Sequence, residues 1–116
     1  MKVTRIYTDE HGETHFADDI VALQEAGPIG RLSERVPVRA VIFRTNAPHY
    51  NYDWHNAPAR QYVVLLDGAI ELEVSNGERR ILRGGDLLLL EDVTGKGHRT
   101  RHLEPHERRS LFIELE

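Results

Sequence analysis

The chain contains no cysteine. Thiol catalysis, a disulfide scaffold and cysteine-ligated zinc therefore have no material, and the absence agrees with a reducing compartment. Long apolar runs are also missing. The longest, Tyr62 to Leu66, has five residues, where a membrane helix needs about twenty. The opening Met1-Lys2-Val3-Thr4-Arg5 lacks the apolar core of a secretion signal. These absences set the expectation of a cytoplasmic protein with no membrane partner. No basic stripe stands out either: 15 Lys and Arg are interspersed with 19 Asp and Glu, for a net charge of −4. The densest basic stretch, His98-Arg99-Thr100-Arg101-His102 with Arg108-Arg109 after it, is interrupted by Glu104 and Glu107. Nucleic acid is therefore not an expected partner. Gly95-Lys96-Gly97 is not a phosphate loop, because glycine follows the lysine where Ser or Thr is required. No Ser/His/Asp arrangement has the spacing of a nucleophilic triad.

What remains is an ordinary globular composition in 116 residues, 40% apolar and 29% charged. That length predicts a single domain, residues 1–116. Short apolar runs alternate with turns along it. Val3–Tyr7 meets Asp9-Glu10-His11-Gly12, Val38–Arg44 meets Asn46-Ala47-Pro48, and Gln61–Leu66 meets Asp67-Gly68. Ala69–Val74 meets Asn76-Gly77, Arg80–Arg83 meets Gly84-Gly85-Asp86, and Leu87–Leu90 precedes Gly95-Lys96-Gly97; Leu111–Leu115 closes the series. Such spacing predicts an all-β sandwich or barrel. Asn76-Gly77 predicts a type I′ hairpin. Asp18 to Ala26, with Gly27 after it, reads equally as a capped helix or as a strand.

Tyr50-Asn51-Tyr52-Asp53-Trp54-His55 alternates polar and aromatic. In a regular strand Asn51, Asp53 and His55 share one face, and Tyr50, Tyr52 and Trp54 the other. Donors at i and i+2 lie about 6 to 7 Å apart at Cα, close enough to share one ion. A solvated edge strand reads equally well from this segment alone.

The second half of the chain adds Gln61 before the strand ending at Asp67-Gly68, then Gly84-Gly85-Asp86, then His98. In these positions the sequence resembles the cupin superfamily, whose two motifs read G-x5-H-x-H-x3,4-E-x6-G and G-x5-P-x-G-x2-H-x3-N. Gln61 has the spacing of that family's glutamate to its closing glycine, Gly68. Gly85-Asp86 resembles the turn that opens the second motif, and His98 its metal histidine. The resemblance covers about residues 38–115. It departs at Asp53, which replaces the first histidine, at Gln61, which replaces the glutamate, and at Thr94-Gly95-Lys96-Gly97, which replaces Pro-x-Gly.

The resemblance implies a single small antiparallel cupin β-barrel of jelly-roll type. It implies a divalent metal in the mouth, Fe, Mn, Ni or Zn, held by Asp53, His55, Gln61 and His98. Apolar Val63, Leu65, Ile70 and Leu72 would wall a pocket for a small-molecule ligand, and His102 shares the strand face of His98. An enzyme of this kind would be an oxygenase, isomerase or lyase acting on an oxygen-rich molecule, with Asp53 as catalytic base. The alternative is a metal-free cupin that binds a small molecule or sugar without catalysis. Glu91 and Asp92 read as mouth residues, either acid–base groups or solvated surface. Outward-facing Tyr50, Tyr52 and Trp54 predict a two-fold homodimer.

Overall fold

The computed structural model describes all 116 residues and contains strands and one 3₁₀ turn, with no α-helix. The strands are β1 (Lys2–Thr8), β2 (Thr14–Ile20), β3 (Gln24–Glu25), β4 (Arg31–Leu32), β5 (Val38–Asn46) and β6 (Asn51–His55). They continue with β7 (Gln61–Leu65), β8 (Ala69–Val74), β9 (Arg79–Arg83), β10 (Leu87–Leu90), β11 (His98–His102) and β12 (Arg108–Leu115). A six-stranded sheet runs β2-β1-β10-β7-β12-β5, and a four-stranded sheet runs β6-β11-β8-β9. β3 and β4 form a separate ribbon. Every pairing is antiparallel except that of β1 with β10.

Period-two alternation builds the core. In β7 every second side chain is buried, and in β8 Ile70, Leu72 and Val74 turn inward between half-buried Glu71 and Glu73. The two sheets meet over Ile6, Phe16, Val63, Leu65, Leu72, Val74, Leu82, Leu88 and Leu90. The result is the expected all-β jelly roll, built as two facing sheets.

Three local readings are settled or changed. Asp18 to Ala26 takes its strand alternative, because Asp18–Ile20 continue β2 in register with Lys2–Thr4 and Gln24–Glu25 form β3. Asp18 bonds Arg80 at 2.7 Å instead of capping a turn, and Gly27 opens the 3₁₀ turn. Asn76-Gly77 does join β8 to β9, but the turn is not type I′. Only Gly77 has positive φ, at 94°, and its N–H bonds the Val74 carbonyl. This is a three-residue loop with glycine in the left-handed position. Asn76 Oδ1 accepts from the Glu78 N–H at 2.8 Å, which holds asparagine at negative φ.

The third change matters most. β6 pairs with β11 through His55↔His98 and Tyr52↔Thr100, so three steps along β6 match two along β11. This β-bulge reverses the alternation. Tyr50, Tyr52 and His55 line one cavity, with Tyr52 still 45% exposed, while Asn51 and Asp53 lie on the outer side. Trp54 packs outside under the Arg99 guanidinium, 5.1 Å from ring centroid to Cζ. The expected aromatic outer stripe is therefore absent, and with it the expected position of Asp53.

Candidate functional site

A cavity of about 320 Å³ lies between the sheets, within the lower range of small-molecule sites. Its middle is apolar, lined by Val63, Leu65, Ile70, Leu72, Leu88, Leu90 and Phe112, with Ile42 at its half-exposed edge. Polar side chains collect at its two ends.

One end is built by imidazoles. His55 and His98 face each other across the β6–β11 pair with ring centroids 4.4 Å apart. Each is oriented through Nδ1. His55 Nδ1 lies 2.7 Å from the Asp53 carbonyl oxygen, and His98 Nδ1 lies 2.5 Å from Asp92 Oδ2. A carbonyl oxygen only accepts, so His55 carries its proton on Nδ1 and its Nε2 is free. Burial pushes the His55 imidazole below its ordinary range, and the His98 and Arg44 charges add to that. The Asp53 carbonyl and the Asp92 charge oppose the shift without reversing it. Buried Gln61 lines the same cavity.

Asp92 is fully buried, and its Oδ1 has no hydrogen-bond partner. It is positioned by its backbone: its carbonyl accepts from the Ala57 N–H at 3.1 Å and from Asn56 Nδ2 at 3.2 Å. The chain then returns to His98 through Gly95 and Gly97, both at positive φ. Glu91 takes a different role. Although burial opposes ionisation, Arg5 and Arg60 bond its carboxylate and hold it below the usual range.

The other end is built by guanidiniums. Arg108 is 5% exposed and donates to Asn46 Oδ1 at 2.9 Å. It also donates to His102 Nδ1 at 3.2 Å, which fixes His102 as the Nε2–H tautomer bonding the His106 carbonyl. Arg44 donates to the Tyr50 hydroxyl at 2.9 Å and lies over the Phe112 ring. Burial and the neighbouring Arg44 charge both lower the Arg108 guanidinium.

Of the residues expected at the site, His55, Gln61 and His98 share the cavity, as do Val63, Leu65, Ile70 and Leu72. Asp53 does not: its side chain is outside, bonding the Trp54 N–H at 2.9 Å. His102 supports Arg108 from behind. Arg44 and Arg108 were not among the expected site residues, and Asp92 was expected only at the mouth, as an acid–base group or solvated surface. Strand parity could have found them, because Asp92 follows Leu88 and Leu90 at the same alternation, and Arg108 precedes Ser110 and Phe112.

As a place for a divalent ion, the cavity falls short. His55, His98 and Gln61 bring no negative charge, the one carboxylate in the lining, Glu114, stands 3.5 Å from Arg39, and two guanidiniums face the same space. No three or more His, Cys, Asp or Glu side chains converge on one point. The residues present do not fit a divalent-metal site.

Solved structures share this architecture. A cupin 2 conserved barrel domain protein from Salinispora arenicola is 20% identical with a TM-score of 0.52, over 66% of this chain and 61% of that one. A cupin domain from Bordetella pertussis is 22% identical with a TM-score of 0.51, over 66% and 79%. A cupin-2 domain containing protein from Shewanella frigidimarina is 16% identical with a TM-score of 0.50, over 71% and 78%. No family model matches the sequence, and no curated protein does. At these identities the likeness is one of fold.

Proposed function

We propose that this small cupin-fold domain binds a small molecule in the cavity between its sheets, without a divalent metal. The observation that carries this reading is the Asp92–His98 pair. A buried carboxylate bonds Nδ1 of a buried imidazole and leaves its Nε2 for whatever enters the cavity. Such an imidazole is an oriented hydrogen-bonding group, and the apolar walls supply the contact area. Elemental analysis after growth in metal-supplemented medium is expected to find well under one equivalent of any first-row metal. Stoichiometric metal lost on His55→Ala or His98→Ala would overturn the metal-free part of the reading.

The same pair favours a second reading. A carboxylate holding an imidazole by Nδ1 is also the arrangement of a general base. In that case His98 would be the base and Asp92 its positioning residue, in place of Asp53. Compounds that bind can be followed by NMR in D₂O. Unchanged spectra support the binding module; consumption, or deuterium uptake at an acidic C–H, supports the enzyme.

Self-association belongs to the proposal, on a different surface from the one expected. The outer face of the six-stranded sheet brings Val41 and Phe43 level with Ile113 and Leu111 on β12, and these with Tyr62 and Val64 on β7. Phe43 is 82% exposed. Residues 27–39 form an arm exposed along its length, with Ile29, Leu32 and Val36 uncovered. Face and arm belong to one chain, so a two-fold pair buries both twice. Light scattering is expected to give twice the 13.3 kDa chain mass, and Phe43→Asp to return it to one. A wild-type monomer at micromolar concentration would refute this.

A further inference from the structure

The guanidinium end of the cavity is the part that the binding reading leaves unexplained. Arg108 is as buried as a core leucine, and a buried charge is ordinarily paired. Here it has none: neither Arg108 nor Arg44 has a carboxylate oxygen within 4 Å. Asp67, on the neighbouring turn, is taken by Arg109 at 2.7 Å. Glu114 is the one carboxylate lining the cavity, and it stands 3.5 Å from Arg39. It is six positions from Arg108 on the same strand, roughly 20 Å along β12.

The two cations are nevertheless held near each other. The Tyr50 ring lies 5.7 Å from the Arg44 Cζ and 5.9 Å from the Arg108 Cζ, and its hydroxyl accepts from Arg44. The bonds of Arg108 to Asn46 and His102 are to neutral acceptors, which orient a guanidinium without discharging it. Two like charges confined by neutral groups in a half-enclosed space form an anion site.

We infer that the cavity takes a small organic carboxylate, its head on Arg108 and Arg44 and its apolar body against Phe112, Val63 and Leu88. This rests on the reading of the cavity as a small-molecule site and adds the class of molecule. Planar, forked guanidiniums match a carboxylate in two-point geometry. The apolar stretch beyond them suits a short hydrocarbon or ring rather than a fully polar ion. Along β11 the His98 end is four residues from His102, about 13 Å. A compact acid can therefore rest on the guanidiniums and direct its far end toward the imidazoles.

The test compares melting temperatures of the full chain with benzoate, benzamide and inorganic phosphate at matched ionic strength. Benzoate is expected to raise the melting temperature with concentration, with benzamide roughly tenfold weaker or worse. Arg108→Gln should reduce the response to benzoate by roughly tenfold or more. In the absence of any anion the same variant should melt no lower than wild type, since it removes an unpaired buried charge. A purely structural Arg108 would instead lower it. Ile42→Trp, at the half-exposed edge of the cavity, should abolish the response to all three probes. Benzoate and benzamide acting equally, and both failing on Ile42→Trp, would overturn the carboxylate assignment and leave the cavity reading standing. Phosphate acting more strongly than benzoate would also overturn it. A response that survives Ile42→Trp, or no response to any probe, would overturn the cavity reading itself.

Discussion

Gly97→Ala is expected to unfold the site and to be the most damaging single-methyl change in the chain. Gly97 is buried at φ +76°, and an added Cβ would run into the His55 carbonyl oxygen and carbon. Those atoms are backbone, so no side-chain rotation relieves the contact. Left-handed strain alone costs of order 1–3 kcal/mol for a non-glycine residue. Separating the strands at this point also breaks the His98↔His55 register and the bond from the Thr14 hydroxyl to the Gly97 carbonyl, 2.6 Å long. Urea unfolding is the measurement. Gly77→Ala, in an open turn where an added Cβ meets nothing within 4 Å, pays the backbone strain alone. If the two variants lose the same stability, close packing at Gly97 is not what holds the imidazoles together.

Asp92→Ala should cost about 3–5 kcal/mol, the loss seen when one partner of a buried pair is removed. It strands His98 Nδ1 without an acceptor in a site where His98 is 3% exposed. Asp92→Asn keeps an acceptor oxygen and should lose less, although its amide N–H would occupy the place where Oδ1 now has no partner. The structural loss has a specific companion. ¹⁵N NMR of the ring nitrogens should show His98 protonated on Nδ1 in wild type and no longer fixed there in Asp92→Ala. A variant that loses stability while the His98 tautomer stays unchanged would show that Asp92 does not orient the imidazole.

Most of the fold was legible in the sequence because strands advertise themselves through alternation, and this chain alternates well. Ile70-Glu71-Leu72-Glu73-Val74 needed only period two and a turn signal after it. Three of the four residues expected at the site, His55, Gln61 and His98, do line one cavity, because turn-to-strand spacing carries the registers that bring them there. Asp53 failed on a single inserted residue. A bulge leaves no mark in Tyr52-Asp53-Trp54-His55, and it turned the aspartate outward and the tyrosines onto the cavity. The type I′ turn at Asn76-Gly77 failed similarly, since the asparagine side chain bonds two residues on instead of entering positive φ.

Asp92 and Arg108 illustrate a different limit. Both follow the inward parity of their strands, but a charged residue at a strand end normally reads as solvated. Their burial depends on contacts made between distant segments: Asn56 and Ala57 on the Asp92 carbonyl, Asn46 and His102 on Arg108. The guanidinium end was hidden further by composition. With 19 acidic residues in the chain, two unpaired arginines become visible only when every carboxylate near them is seen to be engaged elsewhere.

The central claim is that a small molecule occupies the space between the sheets, reaching from the Arg108 end toward His98. It is tested most directly by methyl NMR on protein labelled at Val, Leu and Ile, in complex with the compound giving the largest thermal shift. The account predicts intermolecular NOEs from that compound to the methyls of Val63, Leu65, Leu72 and Leu88. NOEs confined to the outer-face methyls of Val41, Val64 and Leu111 would contradict it.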